Sequence, residues 1–175
     1  YQHHDLAWQR IEQALEQFTD DHRLLYTRAM IAAQKDDLVQ LEQDLRTIIA
    51  QQPNHSIALN ALGYTLADRT TRYDEALALI KKSHSLAPND PATLDSLGWV
   101  YFKLNQLELA LEYLEQSFAA YPDAEIAAHL GEVLWTLGDK QSARKIWQEG
   151  MELEADHPVL LDTLKRLDNR KRWFK

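Results

Sequence analysis

Apolar side chains recur every three or four positions in one segment after another, the spacing of a single buried helix face rather than the alternation of a half-buried strand. The pattern predicts helices from end to end. The stretch LDSLGWVYFKLN (94–105) is apolar enough for a buried helix, yet Gly98 lies inside it, where glycine costs about 1 kcal/mol relative to alanine. Trp99, Tyr101 and Phe102 beside it offer more aromatic area than one buried stripe needs.

The glycine is not isolated. Leu-Gly recurs at 62–63, 97–98 and 130–131, the glycines 35 and 33 residues apart. Pro53, Pro88 and Pro122 are separated by 35 and 34 residues, and Ala76, Ala110 and Ala143 by 34 and 33. Three independent markers share one period, the mark of a solenoid built from a helix-turn-helix unit. The third unit reads Leu94, Leu97, Gly98, Tyr101, Ala110, Leu114, Ser117, Pro122. The second reads Leu59, Leu62, Gly63, Leu66, Ala76, Ile80, Ser83, Pro88, with one extra residue placed in the turn ADRTTRYDE. The fourth reads Ala127, Leu130, Gly131, Leu134, Ala143, Trp147, Gly150, with Ala155 where proline would stand. A degenerate first unit reads Leu25, Arg28, Ala29, Ala32, Leu41, Leu45, Ile48, Pro53, with Arg28 and Leu41 off pattern.

In period and phase these units resemble the tetratricopeptide repeat. The resemblance implies an all-α, right-handed superhelical solenoid of antiparallel helix pairs. Full repeats are expected at 22–55, 56–90, 91–123 and 124–156, a capping helix at 157–170 and a basic tail at 171–175 of a single solenoid, 1–175. Residues 3–19 fit only the second helix of a further unit, with Ala7, Ile11 and Ala14 in its slots. Terminal units of a solenoid need a polar outer face. The C-terminal helix supplies one with Asp162, Lys165, Arg166 and Asp168, whereas Leu6, Ile11, Leu15 and Phe18 of the first helix have no partner helix in the pattern. Those four side chains are therefore expected to form a secondary interface, either with upstream repeats of a longer solenoid or with a second copy. The chain begins at Tyr1 rather than methionine, as a processed or excised segment would.

Within the repeat, the glycines are expected to mark close helix approach, where a Cβ would push the helices apart. Tyr101 and Trp147 occupy core positions. In tetratricopeptide arrays the first helices line a concave face, and the positions that point into it correspond here to Tyr26, Met30, Asn60, Tyr64, Asp68, Asp95, Trp99, Phe102, Lys103, Glu132 and Trp135, with His129 beside them. This strip mixes aromatic anchors with carboxylates, a surface for a protein or peptide partner. Trp99 and Tyr64 are read as facing the groove, while Phe102 and Trp135 fit a groove position and a helix-helix seam equally. Some family members hold a terminal carboxylate with lysines and asparagines on this face. At the matching positions only Asn60 has that chemistry, which argues against recognition of acidic C-termini.

Composition narrows the function. The chain has 45% hydrophobic residues, no cysteine and a net charge of −8, with a mean hydropathy of −0.47. Disulfides and thiolate metal sites are excluded, the charge argues against nucleic acid, and no apolar run reaches the length of a membrane span. The charge is unevenly placed: Lys165, Arg166, Arg170, Lys171, Arg172 and Lys175 face only Asp168 in the last eleven residues, leaving a strongly acidic body. The tail NRKRWFK has the chemistry to dock on an acidic surface, but is read as a frayed terminus whose cations suit a helix C-terminal end. Scattered histidines (His3, His4, His22, His55, His84, His129, His157) show no ligand spacing, and no nucleophile–base pair or phosphate loop is present. No enzyme activity, metal or cofactor is expected.

The segment NALGYTLADRTTRYDEALALIKKSHSLAPNDPATLDSLGWVYFKLNQLELALEYLEQSF, followed by PDAEIAAHLGEVLWTLGD, resembles the C-terminal array of bacterial outer-membrane tetratricopeptide lipoproteins, LbcA-like partners of a C-terminal processing protease. That resemblance covers about residues 56–153. It implies a periplasmic scaffold or adaptor that brings substrates to the protease, and membrane attachment only through a lipid anchor outside this chain. The alternative is a structural segment that oligomerises while upstream repeats bind the partner.

Overall fold

A computed structural model describes residues 2–168 and 173, with side chains for 6–168 and 173. Ten helices, and no strand, occur among the described residues: α1 (Gln2–Gln17), α2 (His22–Gln34), α3 (Leu38–Gln51), α4 (Ser56–Arg69), α5 (Tyr73–Leu86), α6 (Pro91–Lys103), α7 (Leu107–Ala120), α8 (Ala124–Thr136), α9 (Lys140–Leu153) and α10 (Pro158–Leu167). The chain is an all-α solenoid. Hairpins are formed by α2–α3, α4–α5, α6–α7 and α8–α9, α1 stacks on α2, and α10 packs on α8 and α9. No helix among the described residues is long and apolar enough to cross a membrane.

Short polar side chains start the helices. Asp21, Asp37, Asp90, Asp123 and Asp139 accept backbone N–H groups in the first turns of α2, α3, α6, α8 and α9, and the His55 imidazole does so for α4. Three of the four intra-repeat turns share one device. Asp36, Asn105 and Gly138 adopt φ of 62°, 58° and 93°, and the next residue's N–H donates back to Ala32, Tyr101 or Leu134. The exception follows α4, which has 14 residues where α2, α6 and α8 have 13. The extra residue expected in the ADRTTRYDE turn thus lies in the helix. There Thr70 is extended, its Oγ1 donating to the Leu66 carbonyl (2.6 Å) and accepting from the Arg72 N–H (3.1 Å).

The repeat glycines sit where the two helices of one hairpin meet. A Cβ on Gly63 would lie 2.5 Å from Ile80 Cγ1 and 3.0 Å from the Ala76 carbonyl oxygen. On Gly98 it would strike Leu114 and approach the Ala110 carbonyl oxygen to 3.1 Å, and on Gly131 it would enter the Trp147 indole. The glycines and the alanines twelve or thirteen residues on are two sides of one contact. Ser83 and Ser117, farther along each second helix, donate to the first-helix carbonyls of Ser56 and Pro91 at 2.9 and 2.8 Å.

Arg28, off pattern in sequence, has a structural reason. Its guanidinium forks onto Asp44 of α3 (2.8 and 2.7 Å) and reaches Glu12 of α1 (2.6 Å), while Gln40 also donates to the buried Asp44. Polar bonds across three helices replace a leucine contact. Hydrogen bonding to Asp44 raises the Arg28 pKa and keeps the group charged.

Of the four side chains assigned to the secondary interface, Leu15 is buried and Ile11 partly so against α2, while Leu6 and Phe18 stand 50% and 61% exposed. At the other end the frayed-terminus reading needs correction. Trp173 is buried with Ala124, Ala128, Ala143, Trp147, Leu160 and Leu164, and its Nε1 donates to Asp168, which also pairs with Arg144 (3.0 Å). An indole recovers far more apolar burial than fraying would. The tail's remaining residues, 169–172, 174 and 175, and with them the last two positions of the expected 157–170 helix, lie outside the described residues.

Gly98→Ala is expected to destabilise the chain by about 1–3 kcal/mol despite alanine's better helix propensity, because Leu114 and a carbonyl oxygen cannot both retreat; urea denaturation measures it. Arg28→Ala should cost about 3–5 kcal/mol by leaving the Asp44 charge buried without its cation, and Arg28→Leu combined with Asp44→Leu should recover most of that loss in the same assay.

Candidate functional site

The first helices stack side by side, α4 on α6 and α6 on α8, and their common face carries two grooves. One, with a volume of about 580 Å³, runs along the N-terminal halves of α4, α6 and α8; Tyr26, Asn60, Tyr64 and Asp95 line it with Ile57, Tyr121 and Glu125. The other, about 600 Å³, lies toward their C-terminal halves and is closed by α10; Tyr64, Asp68, Trp99, Lys103, His129 and Glu132 line it with Arg166.

The expected strip is therefore divided, and three of its members line neither groove. Met30 packs against the core, Phe102 stacks on Trp99 (5.2 Å), and Trp135 packs beside Trp147 (5.4 Å) with Lys140 and Arg144 over its ring. Trp99 borders its groove, but the reading that it offers its face is corrected, because the side chain is only 5% exposed. It is stacked on His129 at 4.1 Å, covered by Lys103 at 4.5 Å, and its Nε1 donates to Asp68 at 3.1 Å. Tyr101 and Trp147 are core, as expected.

Between the grooves lies a polar seam that joins repeats. The Tyr64 hydroxyl donates to Glu125 at 2.6 Å, from α4 to α8 past α6. His129 Nδ1 donates to Asp95 at 2.9 Å, and Arg166 of α10 forks onto Glu132 at 2.7 and 2.6 Å. Burial of its phenol, reinforced by the nearby Glu125 and Asp95 charges, pushes the Tyr64 pKa well up, so the hydroxyl keeps its proton and donates. Burial lowers the His129 pKa, but Asp95, with Glu125 and Asp68 farther off, more than offsets this and leaves it raised. No group of three or more histidine, aspartate or glutamate side chains suited to a metal occurs among the described residues.

Sequence reasoning misses Ile57, Tyr121, Glu125 and Arg166. The first three sit at or just before helix starts, outside the family positions that define the strip, although Asp90 and Asp123, recurring as helix caps, mark that rim. Arg166 reads in sequence as outer-face charge on the closing helix.

This stack of helix hairpins with a shared inner face defines a helical-repeat protein. The tetratricopeptide repeat family matches residues 54–123 and again 96–156, and the chain belongs to that family. It is 56% identical over 126 residues to the TPR repeat-containing protein PA4667 of Pseudomonas aeruginosa, covering 72% of this chain but 21% of that one, so the chain spans about a fifth of that relative's length. Among solved structures, the TPR protein TTC0263 of Thermus thermophilus superposes with a TM-score of 0.78 at 21% identity, covering 94% of this chain and 88% of that one. PilW, a type IV pilus biogenesis factor, gives 0.77 at 22% identity, covering 99% and 82%. These two likenesses concern the fold.

The sign of the His129 effect follows from its raised pKa. The stabilisation is full below the ordinary histidine value of 6.5 and is lost as pH rises through the higher folded value. Urea midpoints measured from about pH 6 to about pH 9 should fall for the parent chain, and that decline should flatten in His129→Asn.

Proposed function

We propose that the chain is a protein–protein interaction scaffold whose inner face holds a segment of a partner protein. The observation that carries this is the open groove of about 580 Å³ walled by successive first helices, with Ile57 and Tyr121 at 58% and 62% exposure on its lip. Exposed apolar and aromatic side chains around a preformed cleft are the usual makings of a binding site. The resemblance to outer-membrane lipoproteins supports a finer reading, in which the scaffold is periplasmic and holds a C-terminal processing protease and its substrates. Ile57→Asp and Asn60→Ala, checked as folded by circular dichroism, should each reduce capture of that protease from envelope extracts at least about tenfold. Undiminished capture by both variants would overturn the groove as the binding surface.

A second reading is favoured by the exposed Leu6 and Phe18 of α1, which suit packing by another helix, either an upstream repeat or a second copy. Sedimentation of the parent chain against Leu6→Ser/Phe18→Ser separates these: a concentration-dependent dimer lost in the variant assigns the face to self-association.

A further inference from the structure

The inner groove is chemically one-sided. Its lining includes the carboxylates Asp90, Asp95, Asp123 and Glu125 and, among the described residues, neither lysine nor arginine. Every one of these carboxylates already has a structural role. Asp90 and Asp123 cap helices, Asp95 meets His129, and Glu125 accepts from Tyr64. Those bonds hold them in place without adding a full compensating positive charge beyond that of His129. Carboxylates gathered in a concave, partly apolar cleft focus a negative potential into it.

A second observation points to the backbone of an occupant. Asn60 lines the same groove, and its Oδ1 is shielded from solvent with no hydrogen-bond partner among the described residues. An amide that can both donate and accept is suited to an extended peptide bond. The exposed Ile57 and Tyr121 complete the lip with apolar area.

Resting on the scaffold reading, we infer that this groove selects an extended, lysine- or arginine-bearing protein segment, with Asn60 engaging its backbone and Asp90, Asp123 and Glu125 its cations. The preference is the reverse of a clamp for acidic C-termini. Binding depends on salt, because the cleft is open to solvent and its exposed charges are screened by added ions.

The test uses three sets of fluorescein-labelled peptides, equal in length and apolar content and bearing lysine, serine or glutamate at the same positions. Anisotropy titrations of the full chain should show the lysine set binding at least about tenfold tighter than the glutamate set, with the gap narrowing as salt rises. The triple variant Asp90→Asn/Asp123→Asn/Glu125→Gln keeps two capping oxygens and an acceptor for Tyr64 while removing three charges. It should bring the lysine and glutamate sets close to parity, whereas Asn60→Ala should weaken all three. Equal affinity for lysine and glutamate peptides in the parent chain, or an undiminished lysine preference in the folded triple variant, overturns the inference. Protease capture is a separate readout: its loss in Ile57→Asp alongside equal peptide affinities leaves the scaffold reading standing and removes only the cationic preference.

Discussion

The closest helix approach in each hairpin is the constraint on which the rest of the molecule depends. Where Gly63, Gly98 and Gly131 face Ile80, Leu114 and Trp147, one helix comes so near its partner that no Cβ fits. Placing backbone against a large apolar side chain fixes both the distance and the axial register of the pair. The apolar faces of successive hairpins can then form a continuous core from Leu15 to Val133, with a second cluster around Trp147 and Trp173. The grooves are a consequence of that register, because it decides which first-helix residues face one another across the inner surface.

The fold is legible in the sequence because this constraint leaves a periodic trace. A contact repeated in three successive hairpins requires glycine, alanine and a large apolar residue at fixed separations, and a single sequence displays all three. Arg28 is the weak point of the pattern because its function is relational. Its value depends on Asp44 and Glu12, sixteen residues to either side on other helices, and no local spacing announces an ion-paired replacement for a leucine. Trp173 misleads for a similar reason, since charge dominates the tail's composition while one indole determines where it packs.

The site is legible only in part, and the division is physical. Family positions identify side chains that start toward the inner face, but not those that neighbouring helices then cover. Trp99 points inward and is enclosed by His129, Phe102 and Lys103, which themselves come from inner-face positions of α6 and α8. Tyr64 is partly enclosed as well, its hydroxyl committed to Glu125. Ile57, near the start of α4, and Tyr121, just after the end of α7, remain open, and that exposure is a property of the assembled array.

The bond from Tyr64 to Glu125 spans α6, joining a repeat to the next but one. A solenoid whose units touch only their neighbours behaves as a spring, free to open or tighten along its length. A tie between alternate coils works as a stop on that spring, while the Arg166–Glu132 fork fastens the closing helix to its neighbour α8. The inner face of this segment is thereby held at a set pitch, like a jaw with a fixed gap. Mechanical compliance in a longer array containing it would be concentrated in repeats that lack such ties.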